Sequence, residues 1–400
     1  MTTLEPTPAP QQRSVPKLSF TDAEAGAKTF PGSESRFFEY YKPKGRKRTH
    51  YEDVTIDVQP DPRHYLSQGW LYSFADGQAG YPLEWTVLKA WGEDTNTPPK
   101  RYAASGGQAT ADKVGWPATG WHEFRDPNEE WEQTIYRYNA NVVRQMTQNI
   151  DNARETKAFA QWNPSWVRFV ERHASAWMHP EHGLGLYVFV DANRAAPTNM
   201  HNNAISVNGM HRIRFAQDIA MYNMTLANEI EGFDGTAHRE AWYQDPVWQG
   251  VREVAEHLTA ISDWAEEVFC TNIVFEPLVG ELFRTQLVMH SAPGNGDYVT
   301  PTVFSAGEYD YAQRDLRYTR AMFSLLTEDK EFAEHNKSIM QGWLSTWVPR
   351  CLDAARQLQP LWSQPEAKPP RFEDSLDAVK ERFAGICRDL NLQPSKELGQ

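Results

Sequence analysis

The sequence predicts an all-α protein: a large helical bundle preceded by an extended irregular N-terminal arm. Three observations predict it. A capping residue followed by proline recurs four times, at Asp126-Pro127, Asn163-Pro164, Asp245-Pro246 and Thr300-Pro301. The first residue's side-chain oxygen can accept from free N–H groups of a first turn, and proline at the next position loses no hydrogen bond. Apolar residues then follow at spacings of three and four, one face of a helix. Strand-like alternation is scarce throughout.

Residues 1–50 form the arm, rich in Pro, Thr, Ala and Gln before about residue 30. It holds Phe37, Phe38, Tyr40 and Tyr41, then Lys42, Lys44, Arg46, Lys47 and Arg48. Such a stretch cannot form a core of its own. It is a solvated basic loop, an arm laid on an acidic partner surface or, least in keeping with the acidic whole, a nucleic-acid contact. Residues 51–125 are irregular and aromatic-rich. Trp70, Trp85, Trp91, Trp116 and Trp121 stand among breakers such as Asn96-Thr97-Pro98-Pro99 and Ser105-Gly106-Gly107. So many indoles need a helical body or another chain to pack against.

Residues 126–362 form the bundle. Asp126 with Glu129 resembles a capping box. Behind it, Trp131, Ile135, Tyr138, Val142, Met146 and Ile150 share one helical face. Val247, Val251, Val254, Leu258, Ile261 and Val268 do the same, as do Ile339, Trp343, Trp347, Leu352 and Leu358. Helices of about twenty to thirty residues joined by short turns define a large bundle. Residues 363–400 comprise a Pro-rich linker and a C-terminal helix. Its narrow stripe of Leu376, Val379, Phe383, Ile386 and Leu390 must dock on the bundle or on a partner.

Composition removes several function classes. A net charge of −13 over 400 residues argues against a general nucleic-acid binder. Cys270, Cys351 and Cys387 are too few and too scattered for a disulfide framework or a zinc site. They point to free thiols in a reducing cytoplasm. No apolar run approaches a bilayer span, so no membrane role is expected. The first thirty residues carry prolines and acids, so no secretion signal is expected.

The usual catalytic signatures are missing: there is no Walker loop, HExxH, GxSxG or dinucleotide-binding glycine fingerprint. A large helical bundle raises the question of a carboxylate-bridged di-iron site. That chemistry needs a Glu from each of two helices and a Glu-x-x-His pair from each of two others. None of the 12 histidines has Glu three residues before it. His173, His179 and His182 could gather on a metal, but Pro180 argues against a regular helix there, and a solvated loop is the plainer reading. Asp263, Glu266 and Glu267 could also coordinate; the plainer reading is a solvated face or an intersubunit contact.

The order and spacing of several motifs resemble one family. They are Tyr51-Glu52-Asp53-Val54-Thr55 with Gln59-Pro60 and Trp70, Arg125-Asp126-Pro127 with Trp131, and Asn163-Pro164-Ser165-Trp166. Further on come Glu328-Asp329-Lys330-Glu331-Phe332 with Asn336, then Met340, Trp343, Trp347 and Pro349. Over residues 35–360 the chain resembles the small (β) subunit of the hydroxylase of bacterial soluble di-iron monooxygenases, most of all the propane branch. The resemblance implies a ferritin-like fold without di-iron ligands, with no catalytic, cofactor or metal residue in this chain. It implies a homologous large (α) subunit holding two iron ions, in an α2β2 core. It also implies a coupling protein, and a reductase that passes electrons from NADH. The whole would hydroxylate a short alkane, propane to 2-propanol. The arm would then wrap the large subunit, with Phe37, Phe38, Tyr40, Tyr41, Lys44, Arg46, Lys47, Arg48 and Trp70 as contacts. An independent ferritin-like metalloenzyme with unusual ligands and a non-enzymatic scaffold are the alternatives.

Overall fold

Four helical rods build the centre of the molecule. The computed structural model describes residues 47, 49–55, 86–91 and 119–394, and every regular element among them is helical. The first rod runs over residues 164–195 and turns back after Ala195 into the second, Asn199–Glu229. The third runs over residues 264–289 and returns as the fourth, over residues 300–327. Short connections make each pair an antiparallel hairpin. The longer stretch 230–263 crosses between the hairpins, as in ferritin-like folds. Phe189–Ala195 packs on the second rod and on Trp264–Phe269; Thr300–Tyr309 packs on the second and third rods. The four rods therefore enclose one space.

Outer helices cover this centre. Glu132–Glu155 buries Ile135, Val142 and Met146 along the expected stripe. Pro246–Leu258 buries Val251, Val254 and Leu258, and Ala333–Gln357 buries Trp343, Trp347 and Leu352. Each such side chain contributes about 1.5–3 kcal/mol by leaving water. The C-terminal helix Phe372–Asp389 docks on this body, against Cys270–Gly280 and Leu282–Met289, with its apolar stripe buried.

Two of the four proline starts behave as read. The side chains of Asn163 and Asp245 accept from the N–H groups of Ser165 and Val247. Thr300 lies inside its helix instead. Asp297, three residues earlier, accepts from the N–H groups of Val299 and Thr300. Asp126-Pro127 starts no helix. Asp126 closes a loop by accepting from Asn128 and Glu130, and Glu129 sits at φ 50°, a left-handed conformation no capping box allows. The helix begins at Glu132, where the Thr134 hydroxyl accepts from the Trp131 N–H.

Pro180 does not break the first rod. A 3-10 turn, Ser175–Trp177, leads into Met178–Gly183, so the missing N–H falls where the winding changes. Wider π-turns at Val170–Ala174, Leu184–Val188, Cys270–Gly280, Leu282–Met289 and Asp310–Asp315 interrupt three of the rods. Pro277 lies inside one of them.

The described parts of the irregular first third lie strapped to the bundle. The Asp263 carboxylate accepts from the Val87 N–H at 2.7 Å. The Asn336 amide accepts from the Lys89 N–H at 2.9 Å and donates to the Lys89 carbonyl at 2.8 Å, mimicking a strand partner. Asp329 accepts from the Trp91 N–H at 2.9 Å. The short helix His50–Thr55 carries a reciprocal Thr49–Glu52 capping box, and the Tyr51 hydroxyl accepts from the Asp126 N–H. The Pro-rich stretch before the last helix is also tied down, through Glu366 to Ser165 and Ala367 to Asn295. Among the described residues, no helix is long and apolar enough to cross a membrane.

Candidate functional site

At the centre of the four rods, charge replaces the apolar filling that periodicity leads one to expect. Glu181 comes from the first rod, Arg212 from the second, Glu276 and Arg284 from the third, and Glu308 from the fourth. Arg212 Nη1 donates to Glu181 Oε2 at 3.1 Å and to Glu276 Oε1 at 2.7 Å. Arg284 donates from Nη1 to Glu181 Oε1 at 3.2 Å and from Nη2 to Glu276 Oε2 at 2.6 Å. The four groups thus close a ring in which each carboxylate spans both guanidiniums. Asn272 Oδ1 accepts from Arg212 at 3.1 Å, and Glu308 Oε2 accepts from Arg284 Nε at 3.0 Å. Trp177 Nε1 donates to Glu181 at 2.7 Å from below.

Glu276 and Arg284 project from π-turns, and Glu181, Arg212 and Glu308 from α-helical turns. Glu276, Gly280 and Arg284 follow at four-residue steps along the third rod. Gly280 is required by space: a Cβ there would come within 2.5 Å of Glu276 Oε2 and 2.7 Å of Arg284 Nη1.

The ring contains two cations and, with Glu308, three acids. Burial pushes Glu181 above the usual carboxylate range despite Arg212 beside it. Burial acts on Glu276 too, but Arg284 and Arg212 outweigh it and hold its carboxyl low. Burial also raises Glu308.

A second network adjoins the ring. His211 Nδ1 meets Asp315 Oδ1 at 2.7 Å; burial would neutralise this imidazole, but Asp315 and Asp310 raise its pKa. Arg314 joins Glu130 to Asp310, and Arg214 joins Asp310 to Asp218. Between the networks lies a cavity of about 10 Å³, lined by Glu181, His211, Arg212, Arg284 and Tyr311 among others. That is room for about one water.

Sequence reasoning passed over most of this site. It took Glu181 for part of a solvated loop, whereas Glu181 is 3% exposed. A signal existed: Glu276 stands alone in the apolar run Ile273-Val274-Phe275-Glu276-Pro277-Leu278-Val279. A lone charge there must be paired.

The other candidates are dispersed. His173 is buried and accepts from Trp248 Nε1 at 3.1 Å, while His179 Nε2 lies 3.0 Å from His238 Nδ1 and His182 is exposed. Asp263, Glu266 and Glu267 do not form a solvated face; each is engaged by the bundle itself. Asp263 caps Trp264–Phe269, Glu266 accepts from Trp347, and Glu267 is buried, pushed up to about 9 by burial and by Asp191. Among the described residues no group of three or more His, Cys, Asp or Glu side chains could hold a metal ion. Of the expected large-subunit contacts, Lys47 is described and exposed. Phe37, Phe38, Tyr40, Tyr41, Lys44, Arg46, Arg48 and Trp70 lie outside the described residues.

The His173 environment carries a pH prediction. Burial lowers its pKa from 6.5 to about 4, so the folded state holds it neutral while the unfolded chain protonates near 6.5. Its contribution to stability is lost as pH falls through that window. His173→Gln keeps an acceptor for Trp248 and does not titrate. Urea midpoints measured across the window should fall less steeply with acid in the variant than in the parent; parallel curves would contradict this.

By fold, the chain is a four-rod bundle of the kind that can hold a carboxylate-bridged metal pair at its centre. Its centre does not fit two iron ions, because guanidiniums fill the space between the carboxylates and use all four bridging oxygens. A family model described as methane/phenol/alkene hydroxylase matches residues 100–330. The small subunit of the propane 2-monooxygenase hydroxylase component of Rhodococcus jostii is 51% identical over 98% of both chains. Its counterpart from Mycolicibacterium smegmatis is 49% identical, again over 98% of each. A solved phenol hydroxylase from Pseudomonas sp. OX1 superposes with a TM-score of 0.62 at 16% identity, over 87% of this chain and 92% of that one, a likeness of fold. The chain belongs to the methane/phenol/alkene hydroxylase family, as a small subunit of a monooxygenase hydroxylase component.

Proposed function

We propose that this chain is the non-catalytic structural subunit of an alkane hydroxylase. The homologous large subunit would hold two iron ions, and there propane, O2, NADH-derived electrons and two protons would give 2-propanol and water. A separate reductase would deliver the electrons, and a coupling protein would regulate the complex. The assembly would be an α2β2 core in the cytoplasm. The observation that carries this reading is the ion ring, a centre of the right architecture filled by the protein's own cations. The near-full-length relatives, named for propane, support the substrate class.

The arm would attach the chain to its partner. Aromatic residues from Phe37 to Tyr41 would anchor it, and Lys44 to Arg48 would meet acidic surface. Co-expression with the large subunit tests the reading. A tetramer whose iron resides in the large chain is expected, together with an iron-free small chain. Iron-dependent oxygen consumption by this chain alone would overturn it. Replacing Lys44, Arg46, Lys47 and Arg48 with Ala should weaken assembly, more at low salt than at high salt, where screening already removes the attraction. Unchanged assembly at low salt would remove the role of the arm.

A further inference from the structure

We infer that Arg212 and Arg284 are built-in cations standing where two divalent metal ions would sit between bridging carboxylates, and that they close a latent dinuclear site to metal. The inference rests on the reading of this chain as the metal-free partner, and it adds the physical device that keeps it so.

The topology of the ring carries the argument. Glu181 gives Oε2 to Arg212 and Oε1 to Arg284; Glu276 gives Oε1 to Arg212 and Oε2 to Arg284. Two carboxylates each spanning two cations is the connectivity of a carboxylate-bridged metal pair. Each cation also has a terminal oxygen ligand, Asn272 on Arg212 and Glu308 on Arg284. The oxygen ligands come from the first, third and fourth rods, and His211 of the second rod lines the same cavity, so all four rods converge there as in a bundle-core metal site.

Two pairs at i, i+3 spacing flank the ring, and each keeps one half of the Glu-x-x-His pattern. Asn208-x-x-His211 on the second rod has the imidazole without the acid; Glu308-x-x-Tyr311 on the fourth has the acid without the imidazole. Asn208 instead accepts from Asn272 and Tyr318. His211 and Tyr311 both line the central cavity. His211 is 2% exposed; among the described residues its Nε2 has no hydrogen-bond partner, Glu130 Oε2 lying 3.8 Å away, and Arg212 Nε has none either.

Electrostatics explain why the device works. An entering divalent cation would meet two fixed guanidiniums and no free bridging oxygen. Guanidinium keeps its proton throughout the range in which the protein is folded, so it cannot step aside by losing one. Removing both would leave Glu181, Glu276 and Glu308 buried without counter-charge, a site that divalent cations neutralise. The N···O distances of 2.6–3.2 Å would contract to metal–oxygen distances of about 2.0–2.2 Å.

The test uses the full-length chain and Mn2+ as the probe. The parent should take up no Mn2+ at the ring, and its thermal midpoint should not move on adding the ion. The Arg212→Ala/Arg284→Ala variant should bind about two Mn2+ per chain, at least about tenfold more tightly than the parent, with a midpoint that rises with Mn2+. Adding Glu276→Gln to that variant should abolish the uptake, which separates the ring from adventitious surface binding. If the double variant is recovered insoluble, refolding with and without Mn2+ decides: recovery only with the ion supports the inference, and failure in both overturns it. A folded double variant that ignores Mn2+ also overturns it, and leaves the structural-subunit reading standing. Glu276-dependent uptake by the parent overturns both.

Discussion

Arg284→Met should lower the unfolding free energy by about 3–5 kcal/mol, the usual cost of removing one partner from a buried ion pair. The side chain is 1% exposed and serves Glu181, Glu276 and Glu308 together. Methionine fills similar volume, so the loss would come from uncompensated carboxylates and not from a cavity. That cause has its own signature. Acids stranded without a counter-ion acquire raised pKa values, and an acid with a raised folded-state pKa contributes more stability as pH falls. The deficit against the parent should therefore shrink on acidification from neutral toward about pH 5. Denaturant midpoints at both pH values check this. A deficit independent of pH would assign the loss to packing instead.

Trp166→Ala should cost a similar amount, about 3–5 kcal/mol, for a different reason. Trp166 is 0% exposed and stacks on Phe169 with ring centroids 4.9 Å apart. Its Nε1 donates at 2.8 Å to Asp297, the acid that caps Thr300–Tyr309. Truncation would open a large cavity and deprive a buried carboxylate of one donor. Trp166→Phe should recover part of the packing but not the hydrogen bond, so its midpoint should fall between parent and Ala variant. Equal losses in both variants would place the whole effect in the hydrogen bond.

The motifs that carried the family resemblance acquire physical reasons in the structure. Asn163-Pro164-Ser165-Trp166 combines a helix cap, Asn163, with the anchor just described. Asp329 and Asn336 hold the backbone of Trp91 and Lys89, with the Lys330 ammonium over the Trp91 ring. The Tyr51 to Thr55 motif is a capped turn fastened to the Asp126 loop. These residues serve attachment of the strap and the loops to the bundle.

What the sequence determined by itself was the helical class, the apolar faces and the family. Three- and four-residue spacing is a local property of a helix, so the stripes through Val251, Val254 and Leu258, or Val379 and Phe383, could be read without knowing their neighbours. Caps were legible where the acceptor directly precedes the proline, as at Asn163 and Asp245. They were not at Asp297, because the loop before Thr300 sets which acid reaches the free N–H groups. The central ring was decided only by the tertiary structure. Its members lie between 8 residues apart, for Glu276 and Arg284, and 103 apart, for Glu181 and Arg284. Each alone reads as an ordinary surface charge or an isolated polar interruption. Only the packing of four rods, with π-turns under Glu276 and Arg284, brings them within hydrogen-bonding reach and removes the water that would otherwise keep them apart.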